Sequence, residues 1–217
     1  MICVSTGNID FTNLISLMET EELVEIRLDL NDFSDNELVK IFSASTKTIA
    51  TCRPGIFLEE ERIRKLQLCI VSGASFVDIE IDSIENSFKT ISATAKEHNC
   101  SLIISYHNYK RTPSLPELIN LYRSSSEMGA DIMKIATSTS NHSDIAKLLS
   151  LYNIKESSQL IPVIVIGMGE IGKITRVSAL FLGAPFTYAS FKAGEETAEG
   201  QIGKSDLQKI YNIIDDE

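Results

Sequence analysis

Short apolar runs rich in Val, Ile, Phe and Thr recur along the chain, each followed by a longer segment whose apolar residues return at helical spacing. Eight runs read as strands, at 2–5, 23–30, 48–53, 76–81, 102–107, 131–137, 161–168 and 186–191. The intervening segments predict helices over 12–20, 35–43, 59–72, 84–98, 115–128, 143–152 and 172–182, with an eighth over 205–214. Boundary residues agree: Ser143-Asp144 and Ser205-Asp206 suit helix starts, Pro116 suits a first turn, and Gly73, Gly129 and Gly183 suit helix stops. Strict strand–helix alternation predicts a parallel sheet. Eight repeats favour its closure into a compact (β/α)8 TIM barrel forming one domain over residues 1–217, although pattern alone leaves an open doubly wound sheet as an alternative. No Pro-, Gly- or Ser-rich linker divides the chain. At 217 residues it is short for such a barrel, typically about 250, so the loops must be brief.

Barrels of this kind carry their sites at the C-terminal ends of the strands, so polar residues there are informative. In Val24-Glu25-Ile26-Arg27-Leu28-Asp29-Leu30, alternation sends three charges to one face. With the aliphatic face against the helices, those charges point into the barrel, where they must pair or bind a ligand; an exposed antiparallel strand is the bland alternative. Arg53 ends the third strand before Pro54, and Arg176 follows the seventh strand in a glycine-containing segment from Gly167 to Ser178. That segment lacks a well-supported dinucleotide register, and a loop held tight against a ligand, with Arg176 gripping a carboxylate, explains it better. Among three histidines only His107 closes a strand, a natural place for a proton shuttle near neutral pH. Lys134 interrupts the apolar strand Asp131-Ile132-Met133-Lys134-Ile135-Ala136. Its bland reading is a snorkelling or ion-paired lysine; its functional reading is an amine held among apolar groups and near arginines, poised to attack a ketone.

Composition narrows the partners. The net charge of −10 argues against nucleic acid or an anionic membrane, both of which need a concentrated basic face, and makes a local arginine cluster necessary for any anionic small-molecule substrate. The N-terminal residues lack the pattern of a signal peptide and the apolar run from Leu160 to Met168 is too short for a bilayer, so a cytoplasmic location is expected. Four scattered cysteines, Cys3, Cys52, Cys69 and Cys100, show no metal-ligand spacing and are expected as buried thiols.

Six motifs occur in order over nearly the whole chain: Glu25-x-Arg27-x-Asp29; Thr51-Cys52-Arg53; Ser105-Tyr106-His107 with Thr112-Pro113; Gly129 to Ala136 around Lys134; Met168-Gly169 to Arg176; and Glu199-Gly200-Gln201. Together they resemble type I 3-dehydroquinate dehydratase. The resemblance implies a barrel enzyme of the shikimate pathway of aromatic amino-acid biosynthesis that converts 3-dehydroquinate to 3-dehydroshikimate without metal or organic cofactor. It implies Lys134 as the imine-forming lysine and His107 as general acid/base. It places Glu25, Arg27, Arg53, Arg176 and Gln201 against the substrate, with Ser5 and Met168 lining the same pocket. Two departures stand out. Where many members carry Glu-Gly-Gly after the third-strand arginine, this chain has Gly55-Ile56-Phe57-Leu58-Glu59-Glu60-Glu61, which leaves the acidic partner of His107 open among Glu59, Glu60, Glu61 or another acid; and Thr197 stands for a serine, keeping the hydroxyl. Related dehydratases are often homodimers, but no exposed apolar stripe in the sequence marks an interface. A class I aldolase is the rival enzyme, its phosphate loop to be sought in Phe191-Lys192-Ala193-Gly194; a non-catalytic binding protein would leave the inward charges without purpose.

Overall fold

The computed structural model describes residues 1–154, 161–191, 194 and 196–215. Each apolar run becomes a short strand and each helical-spacing segment a helix: β1 (Ile2–Thr6), α1 (Phe11–Met18), β2 (Leu23–Arg27), α2 (Asp35–Phe42), β3 (Lys47–Thr51), α3 (Glu59–Val71), β4 (Phe76–Glu80), α4 (Glu85–Glu97), β5 (Ser101–Asn108), α5 (Leu115–Glu127), β6 (Ile132–Ser138), α6 (His142–Ser150), β7 (Val163–Met168), α7 (Lys173–Ser178), β8 (Thr187–Ser190) and α8 (Lys204–Asp215). All ladders are parallel and the strand order is β7-β6-β5-β4-β3-β2-β1-β8. The last strand therefore lies beside the first, with Cys3 opposite Tyr188 and Ser5 opposite Ser190. The sheet is rolled into a nearly closed (β/α)8 barrel, its seam falling between β7 and β8 among the described residues.

Alternation along the strands divides the apolar residues into two nested cores. One set, including Val24, Ile26, Val77, Ile79, Ile104, Met133 and Val165, faces outward and packs against the helices. The other, including Leu23, Ile49, Ile103, Ile132, Ile164 and Phe186, fills the barrel's interior. The inner core plugs the barrel from below. The buried charges that face inward, Glu25, Asp78 and Lys134, come above it, toward the strand ends, which fixes the end where chemistry is available.

Helix ends follow local chemistry. Ser34 with Glu37 and Ser114 with Glu117 form reciprocal capping boxes, and Pro116 lies in the first turn of α5. Gly73 and Gly129 adopt positive φ just past α3 and α5, whereas Gly183, also at positive φ, ends a run of turns five residues beyond the helix that stops at Ser178. Helix α6 begins one residue earlier than expected, because the Asn141 side chain, rather than that of Ser143, accepts the backbone N–H of Asp144.

Three further boundaries, all near the strand ends that matter for the site, differ from the sequence reading. Strand β2 stops at Arg27: the N–H of Leu30 turns back to the carbonyl of Arg27, so Asp29 sits in a turn beyond the strand. Strand β3 ends at Thr51, which places Arg53 in the following loop. The expected helix over 172–182 is split, a 3-10 turn over Glu170–Gly172 leading into the short α7. Gly172 accounts for the split, since a Cβ there would lie 2.3 Å from the carbonyl oxygen of Gly167. These glycines let the turn pack against β7. All four cysteines are buried free thiols. No helix among the described residues is long and apolar enough to cross a membrane. Lys192 and Ala193 of the phosphate-loop candidate, and the terminal Asp216 and Glu217, lie outside the described residues.

Candidate active site

A pocket opens at the C-terminal end of the barrel. Of the residues singled out from sequence, Glu25, Arg27, Arg53, His107, Lys134, Met168, Arg176, Thr197 and Gln201 all line it. Ser5 does not. Its buried hydroxyl instead sits one layer back, donating to Glu25 Oε2 at 2.5 Å and lying 2.8 Å from Thr197 Oγ1, so it ties β1 to β2 and to the loop before α8.

Lys134, 4 % exposed on β6, projects into the floor of the pocket. Its Nζ donates to Asp78 Oδ2 at 3.0 Å and Glu25 Oε1 at 3.4 Å, and it lies 4.2 Å from the centre of the Tyr188 ring. This corrects the expectation of an amine held among apolar groups and arginines. A buried cation requires compensation, and β2 and β4 supply two carboxylates that store it as an ion pair. Burial alone would raise the pKa of both carboxyls. For Glu25 the charges of Lys134 and Arg27 outweigh burial, and for Asp78 those of Arg53 and Lys134 do, so both are driven below the ordinary carboxylate range.

His107, on β5, stands two residues beyond Ser105, which pairs with Lys134 across the β5–β6 ladder. Its Nδ1 lies 2.9 Å from Glu80 Oε1. A neutral imidazole in that contact carries its proton on Nδ1 and keeps Nε2 as the free base. Burial, then the charge of Arg53, lowers the His107 pKa below the ordinary histidine value, while Glu80 opposes the shift. The ring also stacks on Tyr109 at 6.1 Å between centroids. The acidic partner is thus Glu80, and not Glu59, Glu60 or Glu61. Glu59 pairs with the buried Arg62 and with Ser87, and Glu61 pairs with the exposed Arg64. Helix α3 turns these acids toward its own flank and its neighbours, whereas β4 aims Asp78 and Glu80 inward.

Arg53 binds this acidic pair from the β3 loop. Its guanidinium reaches Asp78 at 3.1 and 3.2 Å, Glu80, and the Ser105 hydroxyl at 3.0 Å. Arg27, the last residue of β2, and Asp29, in the turn beyond it, form a bidentate pair at 3.0 and 2.6 Å. Arg53, Arg27 and Lys134 are therefore each matched by carboxylates. Arg176 is not. Only 1 % exposed, it donates Nε to the Gly200 carbonyl at 2.9 Å, while its Nη2 is buried and has no partner among the described residues. Burial pulls its pKa down to about 10. Leaving such a donor unpaired is costly, so the position suits an anion brought in from outside. The backbone that holds it demands glycine: a Cβ on Gly200, at φ +72°, would lie 2.4 Å from the Gly169 oxygen. Gln201 closes this side, its Oε1 accepting the Thr197 N–H at 2.7 Å.

Sequence reasoning missed Asp78, Glu80 and Tyr188. The signal for the two acids was present in Phe76-Val77-Asp78-Ile79-Glu80, an alternation of the same kind as in β2. Tyr188 carries no such signal, because an aromatic in a strand reads as core.

A family model described as type I 3-dehydroquinase matches residues 2–217. The chain is 34 % identical to a 3-dehydroquinate dehydratase of Methanococcus vannielii, over 99 % of this chain and all of that protein. It is 30 % identical to the enzyme of the same name from Desulfotalea psychrophila, over 97 % of this chain and 96 % of the other. Among solved structures it resembles the 3-dehydroquinate dehydratase of Aquifex aeolicus, with 28 % identity, a TM-score of 0.83 and 99 % of each chain covered.

Proposed function

The chain belongs to the type I 3-dehydroquinase family, and from that premise we propose that it is a 3-dehydroquinate dehydratase of the shikimate pathway, a lyase working through an imine on Lys134 with His107 as proton carrier. The observation that carries this reading is a buried lysine amine on the pocket floor beside a histidine whose Nδ1 is held by a carboxylate. The Lys134 nitrogen adds to the substrate ketone, and the ketone oxygen departs as water, leaving a protonated C=N bond. That positive charge acidifies the neighbouring C–H. His107 Nε2 takes the proton, the electron pair moves to the nitrogen as an enamine, and its return expels the β-hydroxyl, which leaves as water with the proton from His107. Hydrolysis of the imine then frees 3-dehydroshikimate and the lysine.

The other residues find roles from their positions. Arg176 is, among the described residues, the one cation of the site with a free, buried donor, and it takes the substrate carboxylate. Arg27, Arg53, Glu25, Thr197 and Gln201 meet the hydroxyls, with Met168 closing one wall and Ser5 steadying Glu25 and Thr197 from behind. The whole chain serves as one catalytic domain. A cytoplasmic place suits four buried unpaired thiols.

Sodium borohydride added with 3-dehydroquinate should reduce the imine and label Lys134, read as a mass increase on its peptide. An unlabelled lysine during turnover would remove the imine from the mechanism, and labelling by a sugar phosphate instead would favour the aldolase reading. Arg176→Met should cost about ten- to a hundredfold in kcat/KM, mostly through KM, as expected for charge-assisted hydrogen bonds worth about 1.5–3 kcal/mol. Because the native guanidinium is buried with an unpaired donor, the variant should melt no lower than the parent. An unchanged KM would take the carboxylate away from Arg176.

A further inference from the structure

Three groups face the Lys134 nitrogen: Asp78 Oδ2 at 3.0 Å, Glu25 Oε1 at 3.4 Å and the face of the Tyr188 ring, whose centre is 4.2 Å away. The ammonium has three N–H donors, and the two carboxylates each take one. The ring meets the charge itself. It is well fixed for that task. Tyr188 is only 2 % exposed, its strand is pinned opposite Cys3 of β1, and Phe186 packs edge-on against it with centroids 5.5 Å apart at 65°. Its hydroxyl is buried and has no hydrogen-bond partner among the described residues, so nothing at the phenol end accounts for the residue's position.

From this arrangement, and resting on the imine reading above, we infer that Tyr188 is a further catalytic residue whose ring face keeps the Lys134 nitrogen positively charged once the imine has formed. The change of state at nitrogen makes the ring different from the carboxylates. When the ammonium condenses with the ketone, R–NH3⁺ and O=C become R–NH⁺=C and water: two of the three protons leave with the oxygen, the charge stays, and the nitrogen becomes planar. One N–H remains, so at most one of the two carboxylates keeps its hydrogen bond. A π face needs no N–H. Its attraction is to the charge, and in a desolvated site it is at its strongest. The iminium, unlike the neutral imine, withdraws electrons from the neighbouring C–H bond, so a group that holds the nitrogen protonated holds the reaction open.

The test uses the full-length protein, with 3-dehydroquinate as substrate and borohydride as the trap. Tyr188→Phe keeps the ring and discards the unpartnered hydroxyl, so kcat should stay within about twofold and the melting temperature should not fall. Tyr188→Leu should lower kcat about tenfold, the size of a desolvated cation–π contact, with KM little changed and the alkaline limb of the kcat profile moved to lower pH as the iminium loses its proton more easily. Should the leucine variant fail to fold, a trifluorophenylalanine at position 188 has nearly the shape of phenylalanine without its negative face, and should reproduce the loss. A leucine or fluorinated variant with the parent's kcat, or a phenylalanine variant as impaired as leucine, would overturn the inference while wild-type labelling of Lys134 still upheld the imine. No label on wild-type Lys134 would remove both.

Discussion

Replacing Lys134 with methionine is expected to abolish turnover and, separately, to weaken the fold. Loss of a covalent nucleophile commonly costs on the order of 10⁴- to 10⁶-fold in kcat, and no other lysine among the described residues lines the pocket to take its place. The structural effect arises because Glu25 and Asp78 are both buried and both held ionised in part by the Lys134 charge. Removing one member of a buried ion cluster leaves the others uncompensated, at about 3–5 kcal/mol. The sign with pH follows. In the parent these carboxyls have lowered pKa values, and their contribution to stability is present above the unfolded carboxylate range and lost on acidification. In the methionine variant at least one of them is pushed upward instead, so its penalty is greatest at neutral pH and fades as the pH falls through the carboxylate range. Thermal denaturation at pH 7 and at pH 4.5 should therefore show the gap between variant and parent narrowing in acid. A gap independent of pH would mean that Lys134 does not neutralise this pair.

His107→Ala should lower kcat by about 10²- to 10⁴-fold, the usual yield of a positioned acid/base, while borohydride still labels Lys134. Near-normal turnover would exclude His107 from the proton transfers. The parent enzyme offers a second reading of the same residue. With its pKa lowered, His107 remains a neutral base below the ordinary histidine value of about 6.5, and the acid limb of the kcat/KM profile should lie below that value. Glu80 opposes this shift, so Glu80→Gln should move the limb to still lower pH as well as lowering kcat through a poorly held ring. A limb that rises in the glutamine variant would show that Glu80 does not act on His107.

The barrel was legible because parallel strands buried on both faces and helices covering them leave opposite periodicities, and these survive in a single sequence. Inward charges were legible for the same reason. Glu25, Arg27 and Lys134 break a pattern that apolar packing would otherwise enforce, and all three line the pocket. What pattern does not carry is which inward residue meets which. The partner of His107 was sought near Arg53 in sequence, in Glu59 to Glu61, yet the neighbour that matters is a strand away: Glu80 of β4 pairs in register with Ser105 of β5, two residues before the histidine. Strand ends were misplaced at β2 and β3 because short turns such as 28–30 continue the alternation after the ladder has stopped. Lys134 was misread in its surroundings rather than its place, since the carboxylates that compensate it come from positions 25 and 78, which only the closed barrel brings together.

The pairing of β8 with β1 also governs the order in which this molecule can come into being. Strand β1 leaves the ribosome long before the neighbour on one of its flanks, since Tyr188, opposite Cys3, is made 185 residues later. At ordinary elongation rates that flank stays bare for roughly ten to forty seconds. During that interval an apolar strand presents an unpaired edge, the kind of surface that invites wrong partners. The hydroxyl link from Ser5 to Thr197 and the seat of Arg176 on Gly200 are later still. A nascent chain can thus hold Lys134 and His107 in adjacent strands long before it has a pocket, and acquires one only when its last strand docks on its first.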